Sequence, residues 1–99
     1  MEVEIKSSRL ARIETDPQFT DGRQQAVVRA FRKVMNLIRQ AESSRDLYAF
    51  KSLKIKKLMG KRKHQRSLWL NDQYRLVVEF TVKRGEEVIA IIEIEDYHK

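Results

Sequence analysis

An alternation of apolar and polar residues in the last third of the chain restricts the fold more than any other sequence feature. Every second residue from Tyr74 to Val82 is apolar, and polar residues, among them Arg75 and Glu79, fall between them. A period of two is typical of an extended strand that buries one face and exposes the other. The chain must therefore form a sheet in which this strand has a covered face and an open face.

A second strand candidate lies just upstream, at 67–70, and a turn-forming tripeptide at 71–73 separates the two strands. A three-residue connection places Leu70 opposite Tyr74 and keeps the apolar residues on one face. A two-residue loop would instead pair Trp69 with Tyr74. Because burial sets the register, we predict the three-residue connection.

The third strand candidate follows a turn at 83–86. Residues 88–94 form a nearly continuous apolar and β-branched run, which is typical of a central strand. Side chains that ionise or donate hydrogen bonds follow at 95–98. We therefore predict a group of polar side chains at the end of the best-buried strand.

Near the start of the chain, Val3 and Ile5 alternate with charged residues, which predicts a short strand with one face inward. The stretch 8–14 is a helix candidate with Ser8 as its cap. This helix must end before Pro17, because the residue that precedes a proline is disfavoured in the α region.

The firmest helix prediction covers 22–42, with Asp21 as its cap and Gln24 completing a capping box. A further short helix is predicted at 45–50, tied to the core by Leu47, Phe50 and Leu53. The apolar side of the long helix has helical spacing: Val27, Ala30, Phe31, Val34, Ile38 and Ala41. The other side carries a polar stripe, interpreted as a solvated face or as a contact for phosphate or a protein partner: Arg29, Arg32, Lys33, Asn36 and Gln40.

These elements predict one domain, 1–99, of the α+β class in the order β-α-α-β-β-β. The helices pack on one face of a small antiparallel sheet. The other face of the sheet is then free for a ligand.

Basic residues are abundant and clustered. Lysine and arginine number 21 against 14 acids, a net charge of +7, and no acid occurs between Asp46 and Asp72. Such a cluster favours a polyanion such as RNA, with a merely solvated surface as the alternative. Trp69 is either a stacking platform for a base or a core filler. The predicted RNA-binding residues, besides Trp69, are Lys54, Lys56, Lys57, Lys61, Arg62, Lys63 and Arg66.

Other classes of protein are disfavoured. The chain has no cysteine, which excludes disulfides and thiolate metal sites. No apolar run approaches the roughly 20 residues that span a bilayer, and the first residues lack the features of a signal peptide. We expect a cytoplasmic protein with no membrane partner, no metal and no small-molecule cofactor.

Three segments carry a resemblance to a known family: Leu58-Met59-Gly60, the LNDQYRL sequence at 70–76, and the EDYH sequence at 95–98. They resemble the HigB branch of the RelE/ParE toxin superfamily, small bacterial toxins of type II toxin-antitoxin systems. The resemblance implies an mRNA endoribonuclease that acts on the ribosome. It also implies silencing by a helix-turn-helix antitoxin of the HigA type.

RNA cleavage without a metal needs a proton acceptor for the 2′-hydroxyl, a cation at the phosphate and a proton donor for the 5′-oxygen. His98 is the natural acid/base candidate, because histidine titrates near neutral pH; a frayed chain end is the alternative. Asp96 and Glu95 are close enough in sequence to orient its ring. Tyr97 is predicted to bind phosphate or stack on a base, with packing on the sheet as the alternative. The resemblance assigns Arg75 to the phosphate, for which a guanidinium offers paired donors.

The chain departs from the family pattern at one segment. Met59 stands where the HigB pattern has a lysine, and Lys56 where many members have a histidine. One expected cation is therefore missing, and Lys57 or Lys61 is the candidate replacement.

Two other functions stay open. A non-catalytic toxin similar to ParE, which inhibits DNA gyrase by protein contact, would leave Tyr97 and His98 dispensable. A small basic RNA-binding module without toxicity would need no antitoxin.

Overall fold

The computed structural model describes residues 1–97, so His98 and Lys99 lie outside the described residues. Within the described chain, no helix combines the length and the apolar character needed to cross a bilayer. The helices and strands are β1 (Glu2–Ile5), α1 (Ser8–Thr15), α2 (Gln25–Gln40), α3 (Ser44–Ala49), β2 (Lys56–Lys57), β3 (Gln65–Trp69), β4 (Tyr74–Lys83) and β5 (Glu86–Asp96). Two 3-10 turns, Lys51–Leu53 and Gly60–Arg62, flank β2.

The strands form one sheet in the order β1-β5-β4-β3-β2. β1 runs parallel to β5, and the other neighbouring pairs are antiparallel. One face of this sheet shares a core with all three helices. The predicted α+β class, with helices on one face of a mostly antiparallel sheet, is confirmed. All three helix candidates form, including α3, which the predicted order of elements leaves out, and the structure adds the two-residue β2.

Helix α2 supplies the centre of the core, because its apolar side chains recur on one side. Phe31 and Ile38, both predicted to be buried, have no exposed surface, and Met35 joins them. In the neighbouring α3, Leu47 is also fully buried. Phe50 is 43% exposed, so the prediction that it is tied to the core is wrong.

A β-bulge in β5 changes which residues face the helices. The pairing of β4 with β5 skips Ile92, which leaves one extra residue in β5. Ile91 before the bulge and Ile94 after it both lie in the core. An extra residue shifts the alternation of side chains by one position. Glu95 therefore lies on the sheet face away from the helices.

Both hairpin connections have the predicted turns. The amide of Leu70 donates to the carbonyl of Tyr74 at 3.1 Å, which confirms the three-residue connection between β3 and β4. Arg84 and Gly85 connect β4 to β5, with φ of 53° and 79°. Two successive left-handed residues define a type I′ turn, which suits the twist of a hairpin and favours glycine.

The predicted N-terminal caps of α1 and α2 are wrong. Ser7 caps α1, because its hydroxyl accepts a first-turn backbone N–H at 3.2 Å, and Ser8 is already helical. Helix α2 begins after Gln24, which makes no side-chain cap hydrogen bond. The carboxylate of Asp21 instead binds Arg9 at 2.7 Å.

The basic side of α2 is partly used to hold the fold together. Arg32 donates to three carbonyl oxygens in and after α1, those of Ile13, Asp16 and Phe19, at 2.9, 3.1 and 3.2 Å. Arg39 makes a two-pronged pair with Glu14 of α1, at 2.9 and 2.8 Å. Arg29 and Lys33 stay exposed. Only part of the polar stripe is therefore available to a partner.

Ile94 and Val82 test the described burial of side chains in β5 and β4. Val82, which alternation predicts to be buried, is 68% exposed, whereas Ile94 is 8% exposed. We expect Ile94→Ala to lower the free energy of unfolding by about 2–4 kcal/mol, through lost transfer energy and a cavity. Val82→Ala should change it by less than about 0.5 kcal/mol. Denaturant titration followed by circular dichroism measures both, and equal losses would contradict the described burial.

Candidate functional site

The sheet face away from the helices carries a row of alternating cations and aromatic rings. Trp69 of β3 pairs directly with Arg75 of β4. The Nζ of Lys54 lies 4.9 Å from the centre of the Trp69 ring, and the Cζ of Arg75 lies 4.5 Å from that of Tyr97. We call these four residues the cation–aromatic row. Cations attract the faces of aromatic rings, and the same groups can bind phosphates and stack on bases.

Arg75 is held in place by the turn between β3 and β4. Its Nη1 donates to the carbonyl oxygens of Asn71 and Tyr74. The side-chain oxygen of Asn71 accepts the backbone N–H groups of Gln73 and Tyr74, at 2.9 and 2.8 Å. The turn therefore orders the guanidinium that the row presents.

A guanidinium–carboxylate pair lies beside the row. Arg62 makes two parallel contacts with Glu95, of 2.7 Å from Nη2 to Oε2 and 3.1 Å from Nη1 to Oε1. Its Nε also donates to Gln65 at 2.9 Å. The hydrogen bond to Glu95 raises the pKa of Arg62. Glu95 is the register partner of Arg75, so their side chains leave neighbouring strands on the same face of the sheet.

The polar network continues along the face to a histidine. Gln65 donates to Glu79 at 3.1 Å, and the Nε2 of His64 lies 3.6 Å from the same carboxylate oxygen. The described residues contain no group of three His, Cys, Asp or Glu side chains that could hold a metal ion. This face carries imidazole, carboxylate, phenol and guanidinium groups.

A second ion pair crosses the far end of the same face. Glu4 of β1 binds the Nζ of Lys83 at 3.0 Å and that of Lys6 at 3.2 Å. The hydrogen bond from Lys83, followed by that from Lys6, lowers the pKa of Glu4 to about 2. Lys83 reaches Glu4 across β5, which lies between their strands.

The predicted RNA-binding residues fall into three groups. Lys54 and Trp69 belong to the row. Arg62 is paired with Glu95, and Arg66 donates to two backbone carbonyls at 3.1 Å. The remaining four are exposed in and around β2, where they form a basic rim: Lys56, Lys57, Lys61 and Lys63.

The structure brings two of the four predicted catalytic residues, Arg75 and Tyr97, into contact. Asp96 is the register partner of Tyr74, and its Oδ2 lies 3.4 Å from Gln73. Its side chain therefore leaves the strand on the side opposite to Glu95. His98 lies outside the described residues. The catalytic roles of all four remain predictions.

Two residues of this face are absent from the predicted site: His64 and Glu79. Glu95 is predicted only as a residue that could orient the ring of His98. His64 and Glu79 had no sequence signal, because residues 15 apart in sequence meet only through the pairing of β3 with β4.

Solved structures share this fold across nearly the whole chain. A YoeB/ParE toxin from Agrobacterium tumefaciens superposes with a TM-score of 0.60 at 16% identity, over 99% of this chain and 100% of that chain. YafQ from E. coli strain BL21(DE3) gives 0.62 at 13% identity, over 97% and 92%. The YoeB-YefM complex from Staphylococcus aureus gives 0.52 at 17% identity, over 100% and 98%. The chain therefore has the RelE/ParE-like toxin fold.

Sequence comparison adds nothing to this assignment. No protein-family model matches the chain, and no curated protein matches it. At identities of 13–17% the likeness to solved structures defines the fold alone.

The pKa of Glu4 tests the ion pair with Lys83 at the far end of this face. A folded pKa of about 2, against an ordinary value of 4.5, means that the ion pairs stabilise the fold above pH 4.5 and lose this effect as the pH falls towards 2. We expect Lys83→Met to raise the pKa of Glu4 towards its ordinary value, as measured from carboxyl carbon shifts by NMR. Lys51→Met, near the opposite edge of the sheet, should leave it unchanged. An unaltered pKa in the Lys83 variant would contradict the ion pair.

Proposed function

We propose that this protein is the toxin of a type II toxin-antitoxin system. In this proposal it is a ribosome-dependent endoribonuclease of the HigB type that cuts translated mRNA without a metal. The observation that carries the proposal is the cation–aromatic row on the sheet face away from the helices. Alternating rings and cations suit single-stranded RNA, whose bases stack while its phosphates bind. The RelE/ParE-like fold supports the toxin class.

The proposed chemistry uses one group for each requirement of the reaction. Arg75, ordered by its turn, holds the scissile phosphate and stabilises the charge that develops there. Tyr97, in contact with Arg75, binds a phosphate oxygen or a base. His98 protonates the departing 5′-oxygen.

The basic rim supplies non-specific affinity. Exposed lysines around β2 bind phosphates of mRNA or ribosomal RNA and release counterions, which makes the affinity fall as salt rises. The ribosome contributes alignment of the 2′-hydroxyl with the phosphate, and orientation of this kind lowers a barrier by several kcal/mol.

The proposed protein partner is an antitoxin of the helix-turn-helix HigA type. One solved neighbour, the YoeB-YefM complex, binds a partner protein, which supports a similar association here. Because the chain carries +7, an acidic antitoxin segment would be attracted to it.

Substitution of Arg75 separates the candidate functions. We expect Arg75→Gln to reduce mRNA cleavage on translating ribosomes by roughly 10²–10³-fold, because a donor to the developing charge is lost. Arg45→Gln makes the same charge change at an exposed position on α3 and should cleave normally.

The double variant Tyr97→Phe, His98→Ala is expected to lose both cleavage and growth arrest. Growth arrest with intact mRNA in these variants would support ParE-like inhibition of DNA gyrase instead. If expression of the wild-type chain arrests no growth, the toxin class itself is wrong and an RNA-binding module remains.

The fluorescence of Trp69 reports RNA binding directly, because Trp69 is the chain's one tryptophan. We expect a short single-stranded RNA to quench its fluorescence as a base stacks on the indole. Lys54→Gln should weaken binding about fivefold, since it removes a cation beside the ring. The matched change Arg45→Gln should have little effect. Fluorescence that stays constant while RNA binds, as shown by anisotropy of labelled RNA, would exclude the row as the contact.

A further inference from the structure

The bulge at Ile92 decides which acidic side chain accompanies Arg75. Without the extra residue, the alternation that buries Ile91 would place Asp96 on the open face and Glu95 in the core. With it, Glu95 stands directly opposite Arg75. Side chains of directly paired residues are about 5 Å apart at their Cβ atoms. The carboxylate on the candidate site is therefore that of Glu95.

This carboxylate is oriented and accessible. Arg62 donates to both oxygens of Glu95, at 2.7 and 3.1 Å. The Glu95 side chain is 32% exposed. Arg62 is itself held by Gln65 at 2.9 Å. A carboxylate fixed at both oxygens keeps further lone pairs for a proton donor that approaches from solvent.

We propose that Glu95 is the proton acceptor of the cleavage reaction, an inference that rests on the proposed function. Its carboxylate takes the proton of the ribose 2′-hydroxyl, and the 2′-oxygen forms a bond to the adjacent phosphorus. The bond from phosphorus to the 5′-oxygen breaks, and that oxygen receives a proton from water. The products are a 2′,3′-cyclic phosphate and a 5′-hydroxyl. The carboxyl group then returns its proton to water.

Arg62 is a positioning residue in this scheme, because it acts on the substrate through Glu95. The two guanidinium groups have different roles. Arg75 faces the phosphate, and Arg62 fixes the plane of the carboxylate. A lysine at position 62 would keep the charge but lose the planar two-pronged contact.

Glu95→Gln tests the assignment with little change of shape. We expect single-turnover cleavage on mRNA-loaded ribosomes to fall by roughly 10²-fold or more, as for the loss of a general base, while ribosome binding and the thermal midpoint stay close to wild type. Glu86→Gln is the matched control. It removes the same charge from an exposed position at the other end of the same strand, and should cleave at the wild-type rate.

Chemical rescue separates catalysis from structure. Added formate should restore part of the cleavage by Glu95→Ala, whereas sodium chloride at equal ionic strength should not, because only a carboxylate replaces the missing base. Arg62→Lys should lower kcat more than it raises KM.

Two outcomes would overturn the role of Glu95 while the wild-type protein still cleaves mRNA. One is wild-type cleavage by Glu95→Gln. The other is faster cleavage, which would make the carboxylate a competitor of RNA for Arg62. If the wild-type protein cleaves no mRNA on ribosomes, the proposed function fails first.

Discussion

The extra residue in β5 is the constraint on which the candidate site depends. The run 88–94 is apolar at almost every position, so alternation alone cannot decide which residues face the helices. The bulge resolves this, because it lets Ile91 and Ile94, three residues apart, share one core. The same shift turns Glu95 towards the open face. Burial of an apolar side chain stabilises by about 1.5–3 kcal/mol, so core packing controls the placement of a polar site that contributes little to it.

The open face is stabilised by coverage rather than by its ion pairs. Val77 and Val88 are 1% exposed although they lie outside the core shared with the helices. Long side chains that cross the strands can shield such apolar surface with their methylene groups. Lys83 crosses β5 to reach Glu4, and Arg62 reaches Glu95 from beyond β3. Ion pairs that stay in contact with solvent contribute little to stability.

Local patterns were sufficient to predict the scaffold but only part of the site. Alternation and turn residues predicted β4, both hairpin turns and the apolar side of α2, because each depends on neighbours within a few residues. The bulge could not be predicted, because it depends on how β5 pairs with β4. The same holds for the contact of Arg62 with Glu95, which lie 33 residues apart. The row was partly predictable, since Trp69 and Arg75 share a parity that the three-residue connection brings into register.

The segment that contains Met59 brings one guanidinium to the open face of the sheet. Met59 is 85% exposed, so this position supplies neither a cation nor core packing. Lys57 and Lys61, its candidate replacements, are also exposed. Arg62, which follows one turn later, is the member of this segment whose side chain is bound to the open face. A guanidinium binds a carboxylate through two parallel N–H donors, whereas an ammonium acts as a point charge. Glu95 thus fixes where the Arg62 guanidinium lies on the face that also carries Arg75.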